Sequence, residues 1–132
     1  MLKLINPDQL ATPDTYTHVV VAGGGRLVFV AGQVAEDGEG DLVGPGDLAV
    51  QARQAFANLG RALAAAGARP EQVTKITIFV VGLRTEFLPV IEDGRRALFG
   101  EHKPADALIG VQTLAEPGRL IEVDAIAVVD GR

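Results

Sequence analysis

The chain has 132 residues, a formal net charge of −5 and no cysteine. This length predicts a single domain over residues 1–132 that buries its own core. Without cysteine there is no disulfide, thiolate metal ligand or cysteine nucleophile. Serine is also absent from the sequence, which excludes a serine hydrolase. The acidic balance and the scattered basic residues argue against nucleic acid as a partner, because such binders need a concentrated basic surface.

The apolar segments argue against a membrane protein. The longest strongly apolar run, residues 76–81, is much shorter than the roughly 20 residues that a membrane helix requires. The N-terminal run is too short for a signal peptide and soon meets Pro7. We therefore expect a soluble, cytoplasmic protein. Its mean hydropathy of +0.24 is high for a small monomer, which predicts that apolar surface is buried between subunits.

The first third of the chain is predicted to be an irregular lead followed by a β-hairpin. The lead, residues 1–15, is broken by two prolines. Residues 18–22 and 27–33 are β-branched runs joined by three glycines, which is typical of a hairpin. A phosphate-binding loop is the alternative for the glycines, but the lysine and the following helix of a P-loop are missing.

A loop rich in glycine and acids follows at residues 34–46. Its four acidic residues raise the possibility of a calcium site. They do not follow the alternating order with a closing glutamate that a calcium-binding loop requires. The sequence therefore favours a solvated acidic loop.

The clearest predicted element is a long amphipathic helix. Asp47 is a good N-cap, and apolar residues then recur at steps of three and four as far as Ala66. Gly67 suits the position after the helix, and Pro70 prevents its continuation.

The second half of the chain predicts three strands and a second helix. Residues 73–81 are rich in β-branched side chains, which favours a central strand. A helix follows from about Glu86 to Phe99, with Thr85 as its cap and Pro89 in its first turn. Two further strands are expected at residues 107–113 and 120–129.

This order of elements predicts an α+β fold. Its architecture is one mixed β-sheet with both helices packed on one face. The other face of the sheet then needs a cover, which a symmetric oligomer supplies.

Two carboxylates share one face of the last strand. Period-two alternation puts Glu122 and Asp124 on the same side, about 7 Å apart. Burying both without partners is costly, so either that face is wet, or the charges are paired, or one carboxyl transfers protons. The two histidines, His18 and His102, follow no metal-binding spacing, and no metal site is expected.

The order of five segments resembles the Rid family (RidA/YjgF) of enamine and imine deaminases. The segments are RLVFVAGQV, AVQARQAFANLGRALAAAG, VTKITIFV, FGEHKPA and LIEVDAIAV, and the likeness spans residues 16–129. The resemblance implies a chorismate-mutase-like fold assembled as a homotrimer, with ligand clefts between neighbouring subunits. It also implies a small-molecule substrate, a reactive enamine or imine such as 2-aminoacrylate, which is hydrolysed to a 2-keto acid and ammonia without any cofactor.

The resemblance also implies roles for individual residues. Tyr16 matches a tyrosine of the ligand cleft, and the backbone of Gly32 and Gln33 matches the part of the chain that lines it. Glu122 matches the glutamate that positions the attacking water, which makes it the expected catalytic residue.

One position departs from the family pattern. In the family, an arginine that grips the substrate carboxylate follows Pro-Ala, whereas here Asp106 and Ala107 follow Pro-Ala. Leu108 likewise departs from the small residue of the family. Asp106 and Ala107 are expected to line the ligand site with altered specificity, and Arg84 or Arg119 is a candidate replacement for the arginine. The alternative that Asp106 merely caps the turn before the strand stays open.

Two functions of different class therefore stay open. The first is a Rid-type enzyme with shifted specificity, in which Glu122 positions water. The second is a non-catalytic ligand-binding or regulatory trimer that uses the same cleft between subunits. Ribonuclease activity, attributed to some relatives, is disfavoured by the acidic charge.

Overall fold

A computed structural model describes residues 2–131 of the protein. It contains six strands, two α-helices and two short 3-10 turns at Pro70–Gln72 and Thr85–Phe87. The strands and helices, in chain order, are β1 (Leu2–Ile5), β2 (Val19–Ala22), β3 (Gly25–Val34), α1 (Leu48–Ala65), β4 (Val73–Val81), α2 (Leu88–Phe99), β5 (Ala105–Val111) and β6 (Ile121–Asp130).

Four of the strands form one mixed sheet in the order β3-β6-β4-β5. β6 pairs antiparallel with both β3 and β4, whereas β5 runs parallel to β4. The connection from β4 to β5 contains α2, as a parallel pair requires. The predicted mixed sheet and the central place of β4 are confirmed.

The predicted hairpin is wrong. β2 pairs antiparallel with β1, in the register Leu2↔Ala22 to Ile5↔Val19, and β3 pairs with β6 instead. Part of the lead that we expected to be irregular is therefore a strand. Three consecutive glycines permit a turn in several directions, so the pairing of β2 and β3 depends on distant strands that the local pattern does not show.

The first helix confirms its prediction in detail. The Asp47 side chain accepts a hydrogen bond from the Val50 amide at 3.1 Å, as an N-cap does. At the other end, Gly67 follows the C-cap with a positive φ of 74°, a conformation that glycine adopts without strain. The helix buries its apolar stripe against the sheet and α2.

The second helix begins later than predicted. Thr85 does not cap it, because residues 85–87 form a 3-10 turn and α2 starts at Leu88. Pro89 does lie in the first turn, as predicted, where its missing N–H has no helical partner to lose. A β-carbon on Gly94 would be 3.0 Å from the β-carbon of Ala52. The absence of a side chain at Gly94 therefore lets α1 and α2 pack closely.

The two faces of the sheet differ in exposure. On β6, alternate residues from Ile121 to Val129 are buried beneath the helices, and those between them, including Glu122 and Asp124, lie on the opposite face. The predicted alternation is confirmed. The opposite face also carries Leu27 and Phe29, which are 61% and 71% exposed. In the single chain this face is uncovered.

The strand boundaries also correct a prediction. β5 begins at Ala105 rather than at residue 107, so Asp106 lies within a strand and is not merely a turn cap. Among the described residues, no helix is both long and apolar enough to cross a membrane.

Candidate functional site

A cavity of about 410 Å³ lies where α2 packs beside the edge strand β5. It brings together three residues that the sequence singled out, Tyr16, Asp106 and Ala107. Its other lining residues are Thr15, Ile78, Leu88, Ile91, Glu92, Arg95 and Leu108. The walls therefore combine apolar side chains with a few polar groups, as is usual in small-ligand sites.

The segment that carries Tyr16 is fastened to the start of β5. The amide of Thr17 donates to the carbonyl oxygen of Pro104 at 3.3 Å, and its hydroxyl donates to the carbonyl oxygen of Lys103. Thr17 is itself buried. These two bonds hold Tyr16 in the wall of the cavity, although it is about ninety residues from Asp106 in the chain.

Asp106 lies on the helix side of the sheet. In the parallel register it is opposite Ile76, whose side chain is fully buried under the helices. The pKa of Asp106 is raised to about 6, chiefly by burial; the charge of Arg95 opposes this rise, that of Glu92 adds to it, and that of Lys75 opposes it more weakly. The carboxyl group is thus expensive to ionise in this cavity.

Arg95 and Glu92 are the site residues that the sequence interpretation missed. Nε of Arg95 donates to Oε1 of Glu92 at 2.8 Å, and Nη2 donates to Oε2 at 2.7 Å. Arg95 is only 2% exposed, and its Nη1 has no hydrogen-bond partner among the described residues. A signal was available, because Arg95 follows Ile91 by four residues and so continues the apolar stripe of α2.

A second cluster joins β3 to β6. A bulge between Val30 and Gln33 interrupts the register of the two strands. At this bulge the side chain of Glu122 lies against Gly32, where a β-carbon would be 2.0 Å from Oε2 and 2.6 Å from Cδ. Position 32 is therefore glycine for a steric reason, since no other residue lets the carboxylate lie so close to the backbone.

Gln33 lies beside this cluster but does not reach Glu122 with a hydrogen bond. Its Nε2 donates to the carbonyl oxygen of Ala31 at 3.1 Å. The side chain borders a shallow, polar depression that it shares with Glu36, Asn58 and other residues of α1 and the acidic loop.

The two clusters do not meet within one chain. Glu122 pairs with Phe79 and faces away from the helices, whereas Asp106 faces toward them. β6 and β5 are also separated by β4, which puts their axes about 10 Å apart. One small ligand in a single chain therefore cannot contact Asp106 on one face and Glu122 on the other.

Neither arginine named from the sequence lines the Asp106 cavity. Arg84 is exposed and pairs with Glu86 at 3.6 Å. Arg119 is buried, where it donates to Glu116 at 2.8 Å and to Glu36 at 3.3 Å. It also donates to the carbonyl oxygen of Gly40, so it ties the acidic loop to the turn before β6.

The remaining polar candidates have structural contacts. Nε2 of His18 is 2.8 Å from the carbonyl oxygen of Ala11, and Nε2 of His102 is 2.8 Å from that of Val73. Asp124 accepts a hydrogen bond from the Thr77 amide at 3.1 Å. Within residues 2–131, no group of three or more histidine and acidic side chains is arranged to hold a metal ion.

The acidic loop is organised by its own carboxylate. Oδ1 of Asp37 accepts hydrogen bonds from the amides of Glu39 and Asp41 at 2.9 and 3.0 Å. These bonds lower the pKa of Asp37, because they stabilise its ionised form.

The mixed sheet, the two helices on one face and the cavity at the edge strand define an α+β class of protein with a small-ligand-sized site. The sequence profile of the Endoribonuclease L-PSP family matches residues 7–129. A RutC family protein from Synechocystis is 32% identical over 97% of both chains. A 2-iminobutanoate/2-iminopropanoate deaminase from Bos taurus is 32% identical over 78% of this chain and 73% of its own.

Comparison with solved structures agrees with the sequence relatives. A protein of unknown function of the conserved Rid family from Yersinia pestis superposes with a TM-score of 0.91 and 37% identity, over 97% of this chain and 98% of the other. The chain belongs to the Rid family, also known as the YjgF or L-PSP family. The family resemblance and the α+β fold expected from the sequence are confirmed.

Proposed function

We propose that the protein hydrolyses a small reactive enamine or imine in a cleft between two subunits of a homotrimer. One subunit supplies the cavity with Tyr16, Asp106 and Ala107, and its neighbour supplies Glu122 and Gly32. The observation that carries the proposal is the position of the Glu122 carboxylate. It lies against the backbone of Gly32, on the face of the sheet that is uncovered in the single chain. The relative from Bos taurus bears the name of an imine deaminase, which supports the same reaction.

The exposed sheet face supports the assembly. Leu27 and Phe29 on β3 and Ile109 on β5 are large apolar side chains open to solvent in the single chain. Monomers seldom expose such contiguous apolar surface. A neighbouring subunit that covers this face brings a second chain to the side of the sheet on which Glu122 lies.

The chemistry needs a base and a water molecule. The Glu122 carboxylate accepts a proton from water as the oxygen attacks the C=N carbon, which forms a C–O bond and gives a carbinolamine. Glu122 then returns this proton to the nitrogen, so that ammonia becomes the leaving group. As the C–N bond breaks, the hydroxyl of the carbinolamine gives its proton to the Glu122 carboxylate, which leaves a neutral carbonyl compound and ammonia. An enamine first takes a proton on carbon to become the imine. No cofactor takes part in these steps.

The cavity supports a substrate different from a simple imino acid. Asp106 places a carboxylate where a carboxylate-bearing substrate would need a cation. Arg84 and Arg119 have partners elsewhere and do not line the cavity. The proposed activity is therefore imine or enamine hydrolysis with altered specificity.

An assay with freshly generated imines tests the reaction. We expect the wild type to accelerate hydrolysis of at least one imine, and Glu122→Gln to lower that rate by about 10² or more, the usual contribution of a positioned base. Asp124→Asn is the matched control, since Asp124 holds the Thr77 amide, and it should keep most of the activity. No acceleration with any imine contradicts the proposal.

Mixing of variants tests whether two chains share the site. Leu108→Trp fills the cavity, because Leu108 lies on the same side of β5 as Asp106. Glu122→Gln removes the base, so the homotrimer of each variant should be inactive. If the cavity and Glu122 come from different subunits, co-refolded mixtures should recover about one quarter of the wild-type activity, because one in four interfaces combines two intact halves. Activity that stays at the level of the separate variants contradicts a shared site.

Asp106 also favours a second candidate, a ligand-binding trimer without turnover. The cavity is complete in one chain and contains no Glu122, so it is able to bind a ligand without the catalytic half. Tight binding of a neutral or cationic metabolite, lost in Asp106→Ala and unaccompanied by turnover of any imine, supports this candidate. Ribonuclease activity is not proposed, because the net charge of −5 opposes RNA binding.

A further inference from the structure

The Asp106 carboxylate lies in the cavity wall without a partner. Within residues 2–131, no hydrogen bond engages this side chain, and only burial and nearby charges shift its pKa. The buried side-chain atoms that lack a partner in that part of the chain belong to Arg95 and Arg119. Because the oxygens of Asp106 are not among them, each keeps some surface in contact with solvent. A ligand in the cavity is therefore able to contact this carboxylate.

The other two charges of the cavity wall neutralise each other. Arg95 donates two hydrogen bonds to Glu92, at 2.8 and 2.7 Å. The Arg95 side chain is only 2% exposed, whereas that of Glu92 is 25% exposed. The cation is thus buried behind its own carboxylate and does not offer its charge to a ligand. Asp106 is the charge of this wall that has no counter-ion beside it.

The lysine nearest in register does not neutralise Asp106. Asp106 is opposite Ile76 on the helix side of the sheet, so strand alternation puts Lys75 on the other face. Lys75 is exposed to solvent, and its charge is the weakest influence on Asp106. Once Asp106 is ionised, the cavity therefore carries a net negative charge, which favours a cationic ligand over a neutral or anionic one.

We propose that the cavity binds a small aliphatic ligand through a protonated amino group, which Asp106 recognises. The ammonium donates a charge-assisted hydrogen bond to the Asp106 carboxylate and offsets the cost of ionising that group away from bulk water. Leu88, Ile91 and Leu108 line the cavity and contact the aliphatic body. The inference rests on the cavity half of the proposed function and names its substrate class, an imine or enamine that carries a separate amino group.

A matched pair of probes tests the selectivity directly. Isopentylamine and isopentyl alcohol have nearly the same shape, but at about pH 8 only the amine carries a charge. In an NMR titration of the wild type at that pH, we expect the amine to bind at least about tenfold more tightly, because it pairs with the ionised Asp106. Shifts of the Ile91 and Leu108 amide signals should locate the amine in the cavity, and Leu108→Trp should abolish its binding.

Two single substitutions test whether the charge of Asp106 makes the selection. Asp106→Asn keeps the shape of the side chain and removes its charge, so the amine should lose about tenfold in affinity and bind no better than the alcohol. The affinity for the alcohol should stay nearly the same. Asp93→Asn removes an equal charge at an exposed position of α2 and should leave the affinity for the amine within about twofold of the wild type, because solvent and salt screen exposed charges.

The inference and the proposed reaction fail in different ways. Equal binding of the amine and the alcohol to the wild type, no binding of the amine, or undiminished binding of the amine to Asp106→Asn overturns the inference. Turnover of an imine without an amino group persists in that case if the proposed reaction is correct. Selective binding of the amine without turnover of any imine upholds the inference and overturns the reaction.

Discussion

The carboxylate of Glu122 occupies the space in which residue 32 would place its β-carbon. The distance from that ideal position to Oε2 is 2.0 Å, far below any non-bonded contact. Gly32 and Glu122 are therefore a matched pair: the absent side chain on β3 determines where the carboxylate on β6 lies.

This pairing predicts the effect of Gly32→Ala. The added methyl group must displace the Glu122 side chain, so imine hydrolysis should fall by about 10² or more, as for loss of a positioned base. The free energy of unfolding should change by less than about 1 kcal/mol, because the displaced group is a flexible, half-buried side chain. Steady-state kinetics and urea denaturation measure the two effects.

Gly38→Ala is the control for that substitution. Its β-carbon meets nothing within 4 Å, and its backbone does not have a positive φ. It should therefore keep wild-type activity. If both alanine variants keep full activity, the position of Glu122 does not matter to the reaction.

The raised pKa of Asp106 predicts a pH-dependent stability difference. Its pKa rises from 3.8 to about 6 on folding, so between these values the folded state binds more protons than the unfolded state. The contribution of Asp106 to stability thus falls as the pH rises from about 4 to 6, and the penalty is fully present above 6. Asp106→Asn should then be more stable than wild type near pH 7.5, by about 1 kcal/mol after allowance for solvent screening.

Urea denaturation at about pH 4 and 7.5 checks this prediction. The advantage of Asp106→Asn should disappear near pH 4, where the wild-type carboxyl group is largely protonated in the folded protein. Asp93→Asn, at an exposed position of the same helix–strand unit, should show no such change. An equal advantage at both pH values would rule out the raised pKa as its cause.

The buried ion pair of α2 predicts a large loss of stability when one partner is removed. Arg95→Met leaves the Glu92 carboxylate without its two hydrogen bonds, which should lower the free energy of unfolding by about 2 kcal/mol or more. Glu92→Gln/Arg95→Met should recover part of the loss, because no unpaired charge is left. Thermal or urea unfolding measures both.

The exposed pair of the same helix supplies the comparison. Arg96 pairs with Glu101 at 3.5 Å, and both side chains are largely exposed. Arg96→Met should therefore cost less than about 0.5 kcal/mol. Similar losses for Arg95→Met and Arg96→Met would contradict the buried role of Arg95.

The uncovered sheet face predicts how the assembly is broken. Phe29→Glu puts a charge on a side chain that is 71% exposed in the single chain, and the charge would be buried if a neighbour covers that face. We expect this variant to run as a monomer in analytical ultracentrifugation and to lose imine hydrolysis.

A charge on the helix side is the matched control. Ala57→Glu adds the same charge at an exposed position of α1, where glutamate also favours the helix. It should leave the assembly and the activity intact. A monomeric wild type, or an oligomeric Phe29→Glu variant, would contradict an assembly through this face.

Local patterns predicted the elements whose signals lie within a few residues. The cap at Asp47, the stop after Gly67 and the alternation that separates Glu122 from its neighbours are all present in the structure. Each depends on backbone conformation or on side-chain period, which adjacent residues determine. The predicted start of α2 is wrong, because Thr85 is a residue type that commonly caps helices. The 3-10 turn at residues 85–87 that stands there instead has no distinct sequence signal.

The amino-acid sequence alone shows which reactive groups the chain has: it lacks cysteine and serine, contains the family motifs, and has Asp106 where the family has an arginine. The folded structure was needed to show that β2 pairs with β1, that Arg95 and Asp106 line one cavity, and that Glu122 lies on the opposite face of the sheet. These relationships join residues far apart in the chain. They depend on strand order and helix packing, which bring distant side chains together through contacts that no local pattern records.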